Sequence, residues 1–323
     1  MVDRGRRRLG RSSGGGRHLL RHRTALVIAV AQSDPGPYAP CVELTRYADV
    51  DAFMDAATPY LIQREAEHNL FFGITATLRA DPGLYSGPPY LATVGDGDRV
   101  VAAALRTPPF RLALSEVDDP AAVALIAADV LDHDLPGVQG PVETVRRFVD
   151  ERQARGGPPA HLETSERIYR LTEVIPPRPV PGFARPPVAA DRDVIANWVW
   201  AFQLEALGED DRERAEADTD LWIVGRGRSL NVWEDEGSIV SLVGLTGPTP
   251  NGIRIGPVYT PPESRGRGYA SALTAAVTQA QLDAGRTFVF LFTDLANPTS
   301  NHIYQAIGYE PVGDMDVWEY ERP

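Results

Sequence analysis

An apolar strand over residues 253–260 runs through a glycine-rich turn straight into a long amphipathic helix, and this junction restricts the fold more than any other part of the chain. In the helix Tyr269, Leu273, Ala276, Val277 and Ala280 recur at the spacing of one face of a 3.6-residue period. A strand feeding a packed helix in this way belongs to an α/β architecture. The turn (Arg265, Gly266, Arg267, Gly268) brings free backbone N–H groups and a helix N-terminus to one point. Hydrogen bonds and the helix dipole both favour an anion there. The two glycines let the backbone approach a ligand with no Cβ in the way, and the two arginines add positive charge. Phosphate or pyrophosphate is the ligand this chemistry suits.

Downstream, residues 288–293 form a continuous apolar run fit for the centre of a sheet. Asn297, Asn301, Tyr304, Gly308 and Tyr309 follow in a short helical stretch. Arg265-x-x-Gly268-x-Ala270 resembles the Arg/Gln-x-x-Gly-x-Gly/Ala signature of the GNAT superfamily of N-acetyltransferases, and the series from Asn297 to Tyr309 resembles its second cofactor motif. The match is close over residues 253–320 and looser back to about residue 184.

The resemblance implies acetyl-CoA as acyl donor. Its pyrophosphate would lie on Arg265, Gly266, Arg267, Gly268, Tyr269 and Ala270, and its pantetheine arm would pair with the backbone of Val258, Tyr259 and Thr260 like an added strand. Asn297 would bond the same arm, cap the helix before Pro298, or do both, and Asn301 would be a further cofactor contact. Tyr304 matches the family's general acid for the departing thiolate. The implied reaction is direct acetyl transfer to a primary amine, with no covalent enzyme intermediate.

A free alkylamine has a pKa near 10 and must lose a proton before it attacks, for which a carboxylate is suited. Residues 254–260 hold no acid, although some members of the family use a Glu on that strand. Glu205, Glu263 and Asp294 are the candidate bases, Glu205 preferred; His302 is expected to face outward. The segment from 205 to 220 holds eight acids against Arg212 and Arg214. Such a surface would attract a small cationic amine, or is simply a solvated helix. A protein N-acetyltransferase and a non-catalytic acyl-CoA-sensing regulator are the alternatives. No residue pattern suggests a metal.

At 323 residues the chain suggests two domains. It has no run of about 18 apolar residues, so no transmembrane helix is expected. A lone Cys41 excludes an internal disulfide, and the absence of lysine excludes acetylation of the protein's own lysines. Residues 1–24 carry eight arginines against Asp3 in a chain of net charge −12, and with few apolar residues they are expected to be disordered. Residues 25–31 mimic a short signal-peptide core, but the long basic stretch before them and an intracellular cofactor favour a cytoplasmic protein with a dispensable head. Neither membrane nor nucleic acid is an expected partner, and monomer and homodimer are both open.

The expected organisation is a disordered extension over 1–36, a first unit over 37–174, a linker of six prolines over 175–187, and an acetyl-CoA-binding GNAT domain over 188–323. In the first unit, residues 41–44 and 167–174 read as its opening and closing strands, and Pro59 as interrupting or kinking its first helix. In the second, 222–224 and 231–234 read as strands. Residues 190–195 echo 48–53, and 238–244 echo 99–105, at nearly the same offset, which suggests an internal repeat. The first unit would then be a second GNAT-like domain. At its phosphate-loop position stand Ser115, Glu116, Val117, Asp118, Asp119 and Pro120, acids and a proline in place of glycines. It reads as a degenerate copy: structural, or a wall of the acceptor site.

Overall fold

The structure is a computed structural model that describes residues 25–28, 42–225 and 228–321. Expectations for residues 1–24 and for Cys41 lie outside them. The first half comprises β1 (Ala25–Ile28), β2 (Val42–Tyr47), α1 (Val50–Leu61), α2 (Asn69–Ala80), β3 (Tyr90–Asp96), β4 (Arg99–Arg106), β5 (Leu112–Leu114), α3 (Pro120–Asp129), β6 (Gly137–Pro141), α4 (Val142–Ala154) and β7 (Ala160–Leu171). The second repeats the series: β8 (Phe183–Arg185), α5 (Arg192–Leu207), α6 (Arg212–Val224), β9 (Ser229–Asp235), β10 (Ser238–Thr246), β11 (Gly252–Tyr259), α7 (Tyr269–Asp283), β12 (Phe288–Asp294), α8 (Pro298–Ala306) and β13 (Glu310–Tyr320). From β2 onward every element has its counterpart, which is the tandem GNAT-like arrangement expected from the two echoes.

The thirteen strands of the described residues join one sheet in the order β1-β2-β3-β4-β5-β6-β13-β7-β12-β11-β10-β9-β8. The last strand of each half has crossed over. β13 pairs antiparallel with β6 of the first half, and β7 pairs antiparallel with β12 of the second. The two exchanged strands pair with each other at the centre. On either side the pattern is the same: a parallel pair (β5–β6, β11–β12), then antiparallel pairs to the edge.

Helices cover both faces. On one, α7 and α8 bury Leu273, Val277, Tyr304 and Ile307 against Val243, Ile255, Val289 and Leu291, while α3 and α4 do the same for the first half. On the other, α5 and α6 bury Ile195, Val199, Ala215 and Trp222 against Val232, Leu242 and Tyr259. On that face Phe288 and Phe290 of β12 meet Ala66 of the first half and Ile168 of β7. The halves thus share a core.

Four local expectations are corrected. Ala25–Ile28, inside the segment expected to be disordered, is an edge strand on β2, its Leu-Val-Ile run suiting a strand as well as a signal-peptide core. Of the two readings of Pro59, interruption is overturned: it lies inside α1, which continues into a short 3₁₀ turn at Ile62–Arg64. The strand expected over 167–174 runs from Ala160 to Leu171 and serves the other half's sheet, a partnership that only tertiary structure fixes. Trp222 belongs to α6, not to a strand: Ala215, Thr219 and Trp222 are its buried stripe at i, i+4 and i+7. Among the described residues no helix is long and apolar enough to cross a membrane, and no cluster of His, Cys, Asp and Glu could hold a metal.

Candidate active site

β11 and β12 are paired in parallel only from Gly252–Phe288 to Ile255–Leu291. Beyond that point β11 continues to Tyr259 against β10, and β12 continues to Asp294 against β7. A gap opens between them. The edge of β11 along Gly256, Pro257, Val258 and Tyr259 has no strand beside it there among the described residues, so backbone groups face the gap as an added strand would require.

The turn after β11 leads to the N-terminus of α7. Gly266 and Gly268 have φ of 74° and 91°, the left-handed region open to glycine, and α7 starts at Gly268 without a side-chain cap. Its first N–H groups are the ready anion site of a helix N-terminus. Arg267 is exposed. Arg265 is exposed but engaged: its Nε donates to the Thr260 carbonyl at 2.8 Å and its Nη2 to Glu205 at 2.7 Å. Tyr269 is buried, its hydroxyl on Asp235. Ala270 follows in the first turn.

The first half handles the same position differently. Asp119 caps α3 with its own carboxylate, accepting from the Ala121 N–H at 2.9 Å, and Pro120 at the first turn has no N–H to offer. In the preceding loop the Glu116 N–H donates to His68 Nε2 and the Val117 N–H to Thr144 Oγ1, both at 3.0 Å. His68 is 2% exposed; burial pushes its pKa down to about 4, so its neutral ring accepts at Nε2 and donates from Nδ1 to the Leu61 carbonyl. Donors that could hold an anion are spent within the protein.

Tyr304 shares one buried cluster with Ile255 and Leu291, the last residues to pair before the strands part, and with Tyr269 and Leu273 of α7. It is 8% exposed, and burial pushes its phenol up to about 12, which keeps it a proton donor across ordinary pH. Asn301 reaches back with Nδ2 to the carbonyls of Asn297 (2.8 Å) and Asp294 (3.2 Å), while its Oδ1 is buried with no partner among the described residues. Asn297 is exposed just before α8. An extended ligand in the gap carrying amide N–H groups would satisfy that oxygen. Uncapped helix, parted strands and orphaned acceptor together fit acetyl-CoA.

Of the candidate bases, Glu205 lies on the α5 side at the phosphate turn, accepting from Arg265 and from the Tyr259 hydroxyl at 3.2 Å. Glu263 is exposed in a 3₁₀ turn, and Asp294 is exposed with Oδ1 accepting from the Ala296 N–H. His302 is exposed. The acids from 205 to 220 are largely engaged: Glu209 and Asp218 with Arg214, Glu216 with Arg212, Asp220 with Arg192, and Asp210 with the Trp200 indole.

One acid escapes sequence reasoning. Glu166 sits on the exchanged β7 directly opposite Asp294 of β12. Strand alternation puts it on the same face as Ile168, Phe290 and Arg254, beside the opening gap. It is half-buried; burial raises its pKa, Arg254 opposes the rise and Asp294 adds to it. Its only sequence signal is an ordinary acid in a strand, 128 residues before Asp294 and in the other half.

The model of the acetyltransferase (GNAT) family matches residues 193–309. No curated protein matches the sequence. Among solved structures, a Drosophila protein determined by a structural genomics consortium is 12% identical, with 86% of this chain and 98% of that one covered at a TM-score of 0.60. A GCN5-related N-acetyltransferase from Sphaerobacter thermophilus is 20% identical over 87% and 96%, at 0.56. A tandem GNAT protein from the clavulanic acid biosynthesis pathway is 18% identical over 86% and 97%, at 0.52. At such identities the likeness concerns the fold, and it extends over both halves.

Proposed function

Residues 193–309 being a domain of the acetyltransferase (GNAT) family, we propose that the protein moves an acetyl group from acetyl-CoA to the primary amine of a small molecule by direct attack. One observation carries this reading: the uncapped, glycine-turned N-terminus of α7 beside two parted strands, with the buried Tyr304 in the same apolar cluster as Ile255 and Leu291. Acetyl-CoA supplies an activated acyl thioester. The α7 N-terminus, Gly266, Gly268, Arg265 and Arg267 hold its pyrophosphate. The free edge of β11 at Val258 and Tyr259, with Thr260 just beyond it, and the Asn301 Oδ1 orient the pantetheine arm.

Tyr304 protonates the departing sulfur; a phenol held up to about 12 keeps that proton until a thiolate needs it. Glu166, rather than the ion-paired Glu205, takes the proton of the incoming ammonium, directly or through water. Glu205 positions Arg265. Bringing amine and thioester together in one cleft supplies much of the remaining acceleration.

The test is calorimetric binding of acetyl-CoA followed by release of free thiol with a panel of primary amines. Tyr304→Phe is expected to bind acetyl-CoA as the parent does and to lose kcat about 10²- to 10⁴-fold, the range for general acid catalysis. Undiminished turnover by that variant would remove Tyr304 from the mechanism, and no binding by the parent would remove the ligand.

A further inference from the structure

Between the halves lies a cavity of about 510 Å³ with walls from both. α2 of the first half contributes Gly73 and Thr77; the end of β10, its turn and β11 contribute Thr246, Gly247 and Arg254, and Arg228 closes one side. The charged groups lining it are Arg228, Arg254 and Asp81, and the Asp81 carboxylate already accepts from the Gly83 N–H at 3.1 Å. Arg228 lies over the Trp222 ring and 4.0 Å from Asp218.

Arg254 differs from the arginines of this half and of β7 that are held by acids. Arg185, Arg192, Arg167 and Arg265 each hold a carboxylate within 3 Å. Arg254 has no carboxylate within 4 Å and no hydrogen-bond partner among the described residues; its guanidinium lies 5.8 Å from the Phe292 ring centroid. Arg254 is half-buried; desolvation lowers its pKa, Glu166 attracts it from further away and Arg228 repels it. Its planar fork, held by no carboxylate, suits a carboxylate or phosphate.

The position connects this cation to the chemistry. Arg254 precedes Ile255, the last residue of β11 paired with β12, so it stands roughly 7 Å along the strand from where the gap opens, at ~3.3 Å per residue. Glu166 and Asp294 lie on the far side of that gap. An ammonium beside Glu166 and an anion on Arg254 match the two ends of a short zwitterion. Of the acids over 205–220, expected to draw in a purely cationic amine, Glu205, Glu209, Glu216, Asp218 and Asp220 are paired with arginines.

We propose that this cavity is the tail end of the acceptor site and takes an amine that also carries an acidic group, carboxylate or phosphate, held by Arg254 with help from Arg228. The proposal rests on the acetyl-transfer reading for the amine end, while the anion end stands on the cavity alone.

The experiment is a calorimetric titration of the full-length protein, saturated with coenzyme A to block the phosphate turn, with succinate and separately with inorganic phosphate. Saturable binding is expected, weakened about tenfold or more in Arg254→Gln, since a charge-assisted bond contributes about 1.5–3 kcal/mol. Arg254→Lys, which keeps the charge but not the fork, is expected to fall between, and both variants should bind coenzyme A and unfold on heating as the parent does. The tighter of the two anions identifies the acidic group. No saturable binding, or equal affinity in Arg254→Gln, overturns the proposal. If coenzyme A itself does not bind, the transfer reading fails, and the succinate titration without it still decides the cavity. In turnover, γ-aminobutyrate should outpace n-butylamine in the parent and lose that lead in Arg254→Gln; equal rates for both amines in the parent overturn the proposal.

Discussion

Replacing Gly268 separates three contributions to the phosphate turn. Its φ of 91° lies where a side chain costs ~1–2 kcal/mol, and a Cβ there would come within 3.1 Å of Val180 Cγ1. At Gly266, φ is 74° but a Cβ meets nothing within 4 Å. Gly266→Ala therefore carries the backbone cost alone, and Gly268→Ala carries it with a tight contact added. If the strained turn relaxes when empty, that cost appears as lost affinity for acetyl-CoA, roughly 5- to 30-fold at 1.4 kcal/mol per decade. Gly268→Asp adds a carboxylate against the pyrophosphate. At ~5 Å and an effective dielectric of ~20 the repulsion is about 3 kcal/mol before salt screening, so the total loss reaches roughly 10³-fold. Calorimetry on the three variants at low and physiological salt measures all of this. The expected order is Gly266→Ala, Gly268→Ala, Gly268→Asp, with only the last recovering in salt. Parent-like binding by Gly268→Asp would refute the placement of the pyrophosphate.

Two further outcomes follow from the buried ionisable groups. Glu166→Gln should keep acetyl-CoA binding and lower kcat by about 10²-fold or more, moving the acidic limb of the pH–rate profile; with the parent's raised carboxyl pKa, activity falls as pH drops through it, and an unmoved limb would exclude Glu166 as base. His68 titrates near 6.5 unfolded but at about 4 folded, so the unfolded state binds more protons between those values. Its stabilising contribution is complete above about 6.5 and is lost as pH falls towards 4, up to ~3 kcal/mol at 1.36 kcal/mol per unit. Denaturant titrations of the parent and His68→Phe at pH 7 and pH 4.5 should show the parent losing more, and equal losses would contradict the buried neutral ring.

The parts of this architecture readable from sequence are those that local physics dictates. The turn at Arg265–Gly268 declares itself because glycine spacing, helix periodicity and charge lie within one stretch. The capped start of α3 is equally legible, since Asp119 and Pro120 act on their own helix. Partnerships between distant strands leave no such mark. Nothing in the residues of β7 announces that it pairs with β12, and so Glu166 escapes notice while Glu205, next to a recognisable helix face, draws attention. The acids over 205–220 read as a surface for a cation partly because two of their arginine partners, Arg192 for Asp220 and Arg265 for Glu205, come from outside the segment.

The crossing of β7 and β13 also bears on how the two halves can be inherited and handled. A fragment ended within residues 175–187 would release two polypeptides, each missing a central neighbour and each carrying a strand made for the other. Both would expose unpaired backbone in the middle of a sheet, an invitation to pair with further copies. The half whose α3 is capped by its own Asp119 is therefore not free to be discarded: it supplies the second half with a strand, a wall of its cavity and the Glu166 carboxylate.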